Sequence, residues 1–176
     1  MLSEILRNSI ASYIEKYYMD EQETVCFYED SLASYVEEYP LPPQRCATMA
    51  APKALSLEEM LRQEDAGFTE TLLRRIDSSG KKDAEIYKKA HISKQHFSKI
   101  RGNLHYRPTK ATALALALAL ELSLEDTQDL IGRAGYTLSY SSKFDLIVRY
   151  FIEKGNYNIT ELNLALYEFD QPLLGA

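Results

Sequence analysis

A short stretch near the middle of the chain contains side chains that can each form several hydrogen bonds. Its members are Lys94, Gln95, Ser98, Lys99 and Arg101. A glutamine amide pairs with adenine, lysine or arginine donates to guanine, and serine can donate or accept, with about 1 to 3 kcal/mol of discrimination for each good bidentate pair. The five residues are therefore candidates for contacts with the edges of DNA bases.

The local charge favours contact with a polyanion. Residues 67–110 hold eleven Lys and Arg against four Asp and Glu, a charge of +7 in a chain of net charge −6. Residues 1–66 carry −8, with five basic against thirteen acidic side chains, and residues 111–176 carry −5, with four against nine. This asymmetry is typical of a module that binds nucleic acid. The candidates for phosphate contacts are Lys88, Lys89, Arg107, Thr109 and Lys110.

Two short helices joined by a turn are predicted to position these residues. The helices are expected from Asp83 to Ala90 and from Lys94 to Arg101, with Ser93 as the N-cap of the second. Apolar spacing places five residues on the inward side, which leaves the base-contact candidates on the outer face of the second helix. The inward residues are Ile86, Ala90, Ile92, Phe97 and Ile100.

The segment Asp83-Ala-Glu-Ile-Tyr-Lys-Lys-Ala-His-Ile-Ser-Lys-Gln-His-Phe-Ser-Lys-Ile-Arg-Gly-Asn103 resembles the helix-turn-helix of the lambda-repressor-like, xenobiotic-response-element-type regulators. The resemblance continues into the helix that follows Pro108 and covers roughly residues 67–135. It implies a five-helix domain whose third helix lies in the major groove. Tyr87 and His91 depart from the family, which usually has a small residue and a Gly there. His91 is expected to adopt the left-handed conformation, at a cost of about 1 kcal/mol or more.

The whole chain is predicted to be all-α. Residues 1–39 read as an acidic, Tyr-rich helical hairpin, and the proline-containing residues 40–55 as a linker. Residues 56–176 are predicted to hold the five-helix lambda-repressor-like bundle, extended by two C-terminal helices that either enlarge the core or form a dimer face. In this domain the Ala/Leu-rich segment from Thr109 to Leu122 is expected to be the central helix, because an apolar surface all round requires burial.

Other chemistry finds little support in the sequence. His91, His96 and His105 do not share the spacing of a metal site, and two cysteines are too few for a disulfide framework or a zinc site. The phosphate-binding, zinc-protease and nucleophile-elbow motifs are absent from the sequence, so we expect neither an enzyme nor a cofactor. The longest apolar run, residues 111–120, is shorter than the roughly 20 residues of a membrane span, and we expect a cytoplasmic location.

Two functions stay open at this point. The first is a DNA-binding transcriptional regulator that uses residues 83–101, as a homodimer formed through its N-terminal or C-terminal helices. The second is a non-catalytic adaptor or antitoxin-like protein whose helix-turn-helix shape binds a protein partner and no nucleic acid, because fold does not fix function. A basic stretch is also compatible with a solvated surface, or with a surface that binds the acidic N-terminal segment of the same chain or of a partner chain.

Overall fold

Eight α-helices make up the regular structure of residues 2–19 and 66–175, which are the residues that the computed structural model describes. No strand occurs in these two ranges, so the all-α prediction is confirmed there. The second helix expected before residue 39, the linker 40–55 and the chain from Ser56 to residue 65 lie outside the described residues. The helices are α1 (Glu4–Tyr17), α2 (Phe68–Ser79), α3 (Asp83–Lys89), α4 (Lys94–Gly102), α5 (Lys110–Ala119), α6 (Leu124–Gly132), α7 (Lys143–Glu153) and α8 (Ile159–Glu168).

Side-chain caps fix the start of six of these helices. In each of the six, the residue before the helix has extended backbone geometry and its side-chain oxygen accepts a hydrogen bond from a backbone N–H of the first turn. Such a bond satisfies a donor that the helix itself leaves without a partner. The capping residues are Ser3, Ser93, Thr109, Ser123, Ser142 and Asn158.

Helix α5 is the centre of the core, as its apolar composition predicted. Every residue from 113 to 120 is buried, and the helix contacts α3, α6 and α8. It ends at Ala119 rather than at the expected Leu122, because Glu121 adopts a left-handed backbone with φ of 59°. The amide of Leu122 then donates to the carbonyl of Ala117, which closes the helix.

The C-terminal helices enlarge the core, and α1 docks on them. Helix α7 contacts α6 and α8, and its apolar residues are buried together with Ile159, Leu162 and Leu166 of α8. Helix α1 packs on α7 through the buried Ile10 and Ile14. The N-terminal helix therefore docks on its own chain.

Polar contacts accompany the docking of α1. The hydroxyl of Tyr13 donates to Glu153 at 2.9 Å, and Arg7 pairs with Glu168 at 3.2 Å. Burial, together with the hydrogen bond to Glu153, raises the pKa of Tyr13 well above its ordinary value of 10.0. The phenol therefore stays protonated and keeps donating at neutral pH.

Three of the eight described helices end on a non-glycine residue in the left-handed conformation. These residues are His91, Glu121 and Asp170, with φ of 55°, 59° and 52°. After each of them, the next amide donates back into the last turn of the helix, as Gln171 does to the carbonyl of Leu166 at 2.8 Å. Glycine is the usual residue here because it has no Cβ to crowd the carbonyl. Helix α7 follows the usual rule, with Gly155 at φ of 65°.

Replacing Asp170 with glycine is expected to stabilise the fold. Asp170 is exposed and its carboxylate has no partner among the described residues, so Asp170→Gly removes only backbone crowding and raises the free energy of unfolding by about 0.5 to 1 kcal/mol. The reverse change, Gly155→Ala, meets no neighbouring atom and lowers it by about 1 kcal/mol through conformation alone. Urea unfolding followed by circular dichroism measures both. Destabilisation by Asp170→Gly would contradict the prediction.

Candidate nucleic-acid interface

The turn between α3 and α4 sets the direction of the second helix. His91 takes the left-handed conformation that its position predicted, and Ile92 N donates to Tyr87 O at 2.9 Å. Ser93 then caps α4 by accepting from the amide of His96 at 3.2 Å. The C-terminal end of α3 and the capped start of α4 are separated only by this short turn, so α4 begins at a defined angle to α3.

Five apolar residues hold this helical pair on the core. Ile86, Ala90, Ile92, Phe97 and Ile100 are all buried, as predicted. The ring of Tyr87 lies 5.9 Å from that of Phe97 and is partly buried at the edge of the pair. Helix α4 also contacts α2, while α3 contacts α5. The inward side of α4 is therefore occupied by packing, which leaves its other side for solvent.

The outer face of α4 carries all five base-contact candidates. Lys94, Gln95, Ser98, Lys99 and Arg101 are exposed. Within residues 2–19 and 66–175, the side chains of the first four make no hydrogen bond or ion pair with the protein. Their donors and acceptors are consequently available to a ligand without breaking an internal contact.

Arg101 differs from these four residues because it has a partner. Its Nη1 donates to Oδ2 of Asp83, the first residue of α3. Both side chains stay substantially exposed. The pair links the start of α3 to the last turn of α4.

Some of the phosphate-contact candidates have no side-chain partner in the described structure, and the others already make a contact within the fold. Lys88 and Arg107 are exposed, and neither has a side-chain partner within the described ranges. Thr109 is occupied as the N-cap of α5, where its hydroxyl accepts from the amide of Thr112 at 3.2 Å. The other two cations, Lys89 and Lys110, are held by carboxylates.

Lys89 pairs with Glu121, the residue with the left-handed backbone at the end of α5. The hydrogen bond from Lys89, with the nearby charge of Lys81, lowers the pKa of the Glu121 carboxyl below its ordinary value of 4.5. Glu121 is therefore ionised at neutral pH and neutralises part of the basic stretch.

Lys110 pairs with a buried carboxylate. Its Nζ donates to Oδ2 of Asp145 at 2.6 Å, and the same oxygen accepts from the amide of Ser139 at 2.9 Å. Asp145 is 1% exposed, whereas Lys110 is partly exposed. The pair joins the first residue of α5 to the first turn of α7, so Lys110 has a structural role that its sequence context did not indicate.

Sequence reasoning missed Asp83, Glu121 and Asp145, the acids that pair with predicted cations within the described residues. It also missed the hydrogen bond between His96 Nε2 and the hydroxyl of Tyr106, at 2.8 Å. No local pattern marks these residues, because each acts across a turn or between helices that are distant in sequence.

The rest of the described surface has few other features of a binding site. In residues 2–19 and 66–175, no three His, Cys, Asp or Glu side chains lie close enough to hold a metal ion. An open cleft of about 630 Å³ borders Lys89, His91 and Glu121, but the first and last of these are paired with each other. None of the described helices has the length and apolar character needed to cross a lipid bilayer.

Comparison of the chain with protein-family models, with curated proteins and with solved structures gives no match.

Proposed function

We propose that this protein is a cytoplasmic DNA-binding regulator of transcription that inserts α4 into the major groove, in the manner of the lambda-repressor-like domains that residues 67–135 resemble. One observation carries the proposal. The outer face of α4 presents Lys94, Gln95, Ser98 and Lys99 to solvent with no internal partner in the described structure. These side chains supply the donors and acceptors that match base edges, and the major groove is wide enough to admit an α-helix.

The charge distribution supports the same proposal. The excess of cations in residues 67–110 includes Lys88 and Arg107, which are exposed and have no partner in the described residues. Cations beside a reading helix bind phosphates and fix its register on the duplex, while the helix itself supplies sequence preference. Lys89 and Lys110 would contribute less, since each already neutralises a carboxylate.

We further propose that two copies bind one DNA site. A single α4 offers only five candidate base contacts, whereas two copies related by a two-fold axis would read two half-sites one helical turn apart. Exposed apolar side chains at the C-terminal end of the fold provide a surface on which a second copy could pack. They are Leu164 and Tyr167 of α8 and Leu173, which follows it.

A mobility-shift titration across salt tests the function. With mixed-sequence duplexes, we expect binding that weakens from about 50 to 200 mM salt, with a slope of log affinity against log salt of roughly −2 to −4 if two to four phosphates are neutralised. The mass of the shifted complex reports whether one or two copies are bound. Failure to shift duplex DNA at about 50 mM salt would overturn the proposal and favour the protein-adaptor function.

A further inference from the structure

The pair between Asp83 and Arg101 distinguishes one candidate base contact from the others. Arg101 is the only member of the outer face of α4 with a charged partner among the described residues. Asp83 belongs to the first turn of α3, where a negative charge is favoured by the helix dipole, so its position is set by the helix. The carboxylate of Asp83 therefore holds the long side chain of Arg101 in a defined position.

Stability does not explain this pair. Both side chains are partly exposed, at 49% and 39%, and ion pairs between exposed groups contribute little to folding. Neither residue makes another side-chain hydrogen bond in the described ranges. A contact of small energetic value to the fold can still restrict the orientation of a guanidinium that would otherwise be mobile.

The guanidinium keeps the donors that base recognition requires. It is planar and carries five N–H groups, and Asp83 occupies only Nη1. The edge formed by Nε and Nη2 has no acceptor among the described residues, and two N–H groups on one edge match O6 and N7 of guanine. The carboxylate of Asp83 would in turn repel a phosphate that approached Arg101 from the side of α3.

Resting on the proposed function, we infer that Asp83 is a specificity-determining residue of the interface. It positions Arg101 to donate to a guanine in the major groove and keeps that side chain from serving as a general phosphate contact. Asp83 itself touches no base.

The test is selection of binding sites by the full chain. The wild type and three variants each select binding sites from duplexes of about 30 base pairs, roughly three helical turns, whose central sequence is randomised. The affinity of each protein for the unselected pool of duplexes is measured separately. Asp83→Asn removes the negative charge and keeps the shape. Arg101→Lys keeps the positive charge and removes the planar fork. Glu85→Gln is the matched control, because Glu85 is an exposed acid of α3 with no partner in the described residues.

We expect the wild type to prefer guanine at one position of each half-site. Asp83→Asn and Arg101→Lys should each lower that preference by about fivefold or more, as expected for loss of a bidentate contact, and the double variant should lose little beyond either single change. Asp83→Asn and Glu85→Gln should both raise affinity for the unselected pool, because each removes one negative charge, and Asp83→Asn should raise it more, because Arg101 can then also contact a phosphate. Only Asp83→Asn should change the guanine preference.

The outcomes separate the two proposals. A wild type that shifts duplex DNA, with a guanine preference that Asp83→Asn and Arg101→Lys leave unchanged, overturns the role of Asp83 and leaves DNA binding standing. Equal loss of preference in Glu85→Gln also overturns it, because the effect would then follow net charge. Failure of the wild type to bind any duplex overturns both proposals.

Discussion

Replacing Lys94 and Lys99 together with glutamate is expected to lower affinity for duplex DNA by about 100-fold at low salt and to make the salt slope shallower. Each substitution removes a cation from the proposed interface and places an anion close to the phosphates. Both lysines are exposed and have no partner in the described structure, so the free energy of unfolding should change by less than about 0.5 kcal/mol. Mobility shift and urea unfolding measure the two quantities.

The matched control for that variant changes net charge by the same amount at another place. Lys16 on α1 and the exposed Lys154 after α7 lie over the rings of Tyr17 and Tyr150, at 5.0 Å and 5.9 Å from the ring centres. Lys16→Glu with Lys154→Glu should weaken DNA binding by less than about tenfold, because only the long-range field changes. If the control lost as much affinity as the α4 variant, α4 would not be the interface.

Replacing Lys110 with methionine is expected to destabilise the fold by about 3 to 5 kcal/mol. The change leaves Asp145, at 1% exposure, without the cation that compensates its charge. One carboxylate oxygen of Asp145 has no hydrogen-bond partner in the described structure, so no hydrogen bond to that oxygen compensates for the lost ion pair. Guanidinium unfolding monitored by circular dichroism gives the free energy directly.

Two further variants identify the cause of that loss. Lys110→Met with Asp145→Asn should recover most of the stability, because the neutral amide can still accept from Ser139 and no buried charge remains. Arg74→Met, which removes an exposed partner of Glu70, should cost less than about 1 kcal/mol. If Lys110→Met cost no more than Arg74→Met, the buried pair would not be important for stability.

The helices were predictable because their signals are local. Ser93, Ser123 and Asn158 mark helix starts by a side chain that reaches an amide two or three residues ahead. Burial on one face follows from apolar spacing, as for Phe97 and Ile100. The sequence predicts too late an end for α5, because Leu120 and Leu122 continue the apolar pattern, while the left-handed backbone of Glu121 interrupts the helix between them.

The electrostatics of the candidate site could be predicted only in part. The exposed face of α4 follows from helical periodicity, and the structure places all five base-contact candidates there. The partners of Lys89, Lys110 and Arg101 come from other helices or from the end of one, so their positions depend on tertiary packing. A count of charges gives the excess of cations and does not show which of them the fold has already neutralised.

On α4, the residues proposed to contact DNA are different from the residues that stabilise the fold. Substitutions at Lys94, Gln95, Ser98 and Lys99 remove no internal hydrogen bond or ion pair in the described structure, whereas their neighbours Phe97 and Ile100 are fixed by packing. Descendants of this chain could therefore exchange one target for another through surface changes that are nearly neutral for stability. The same property makes these four positions suitable for randomisation in a library that selects new binding preferences on an unaltered scaffold.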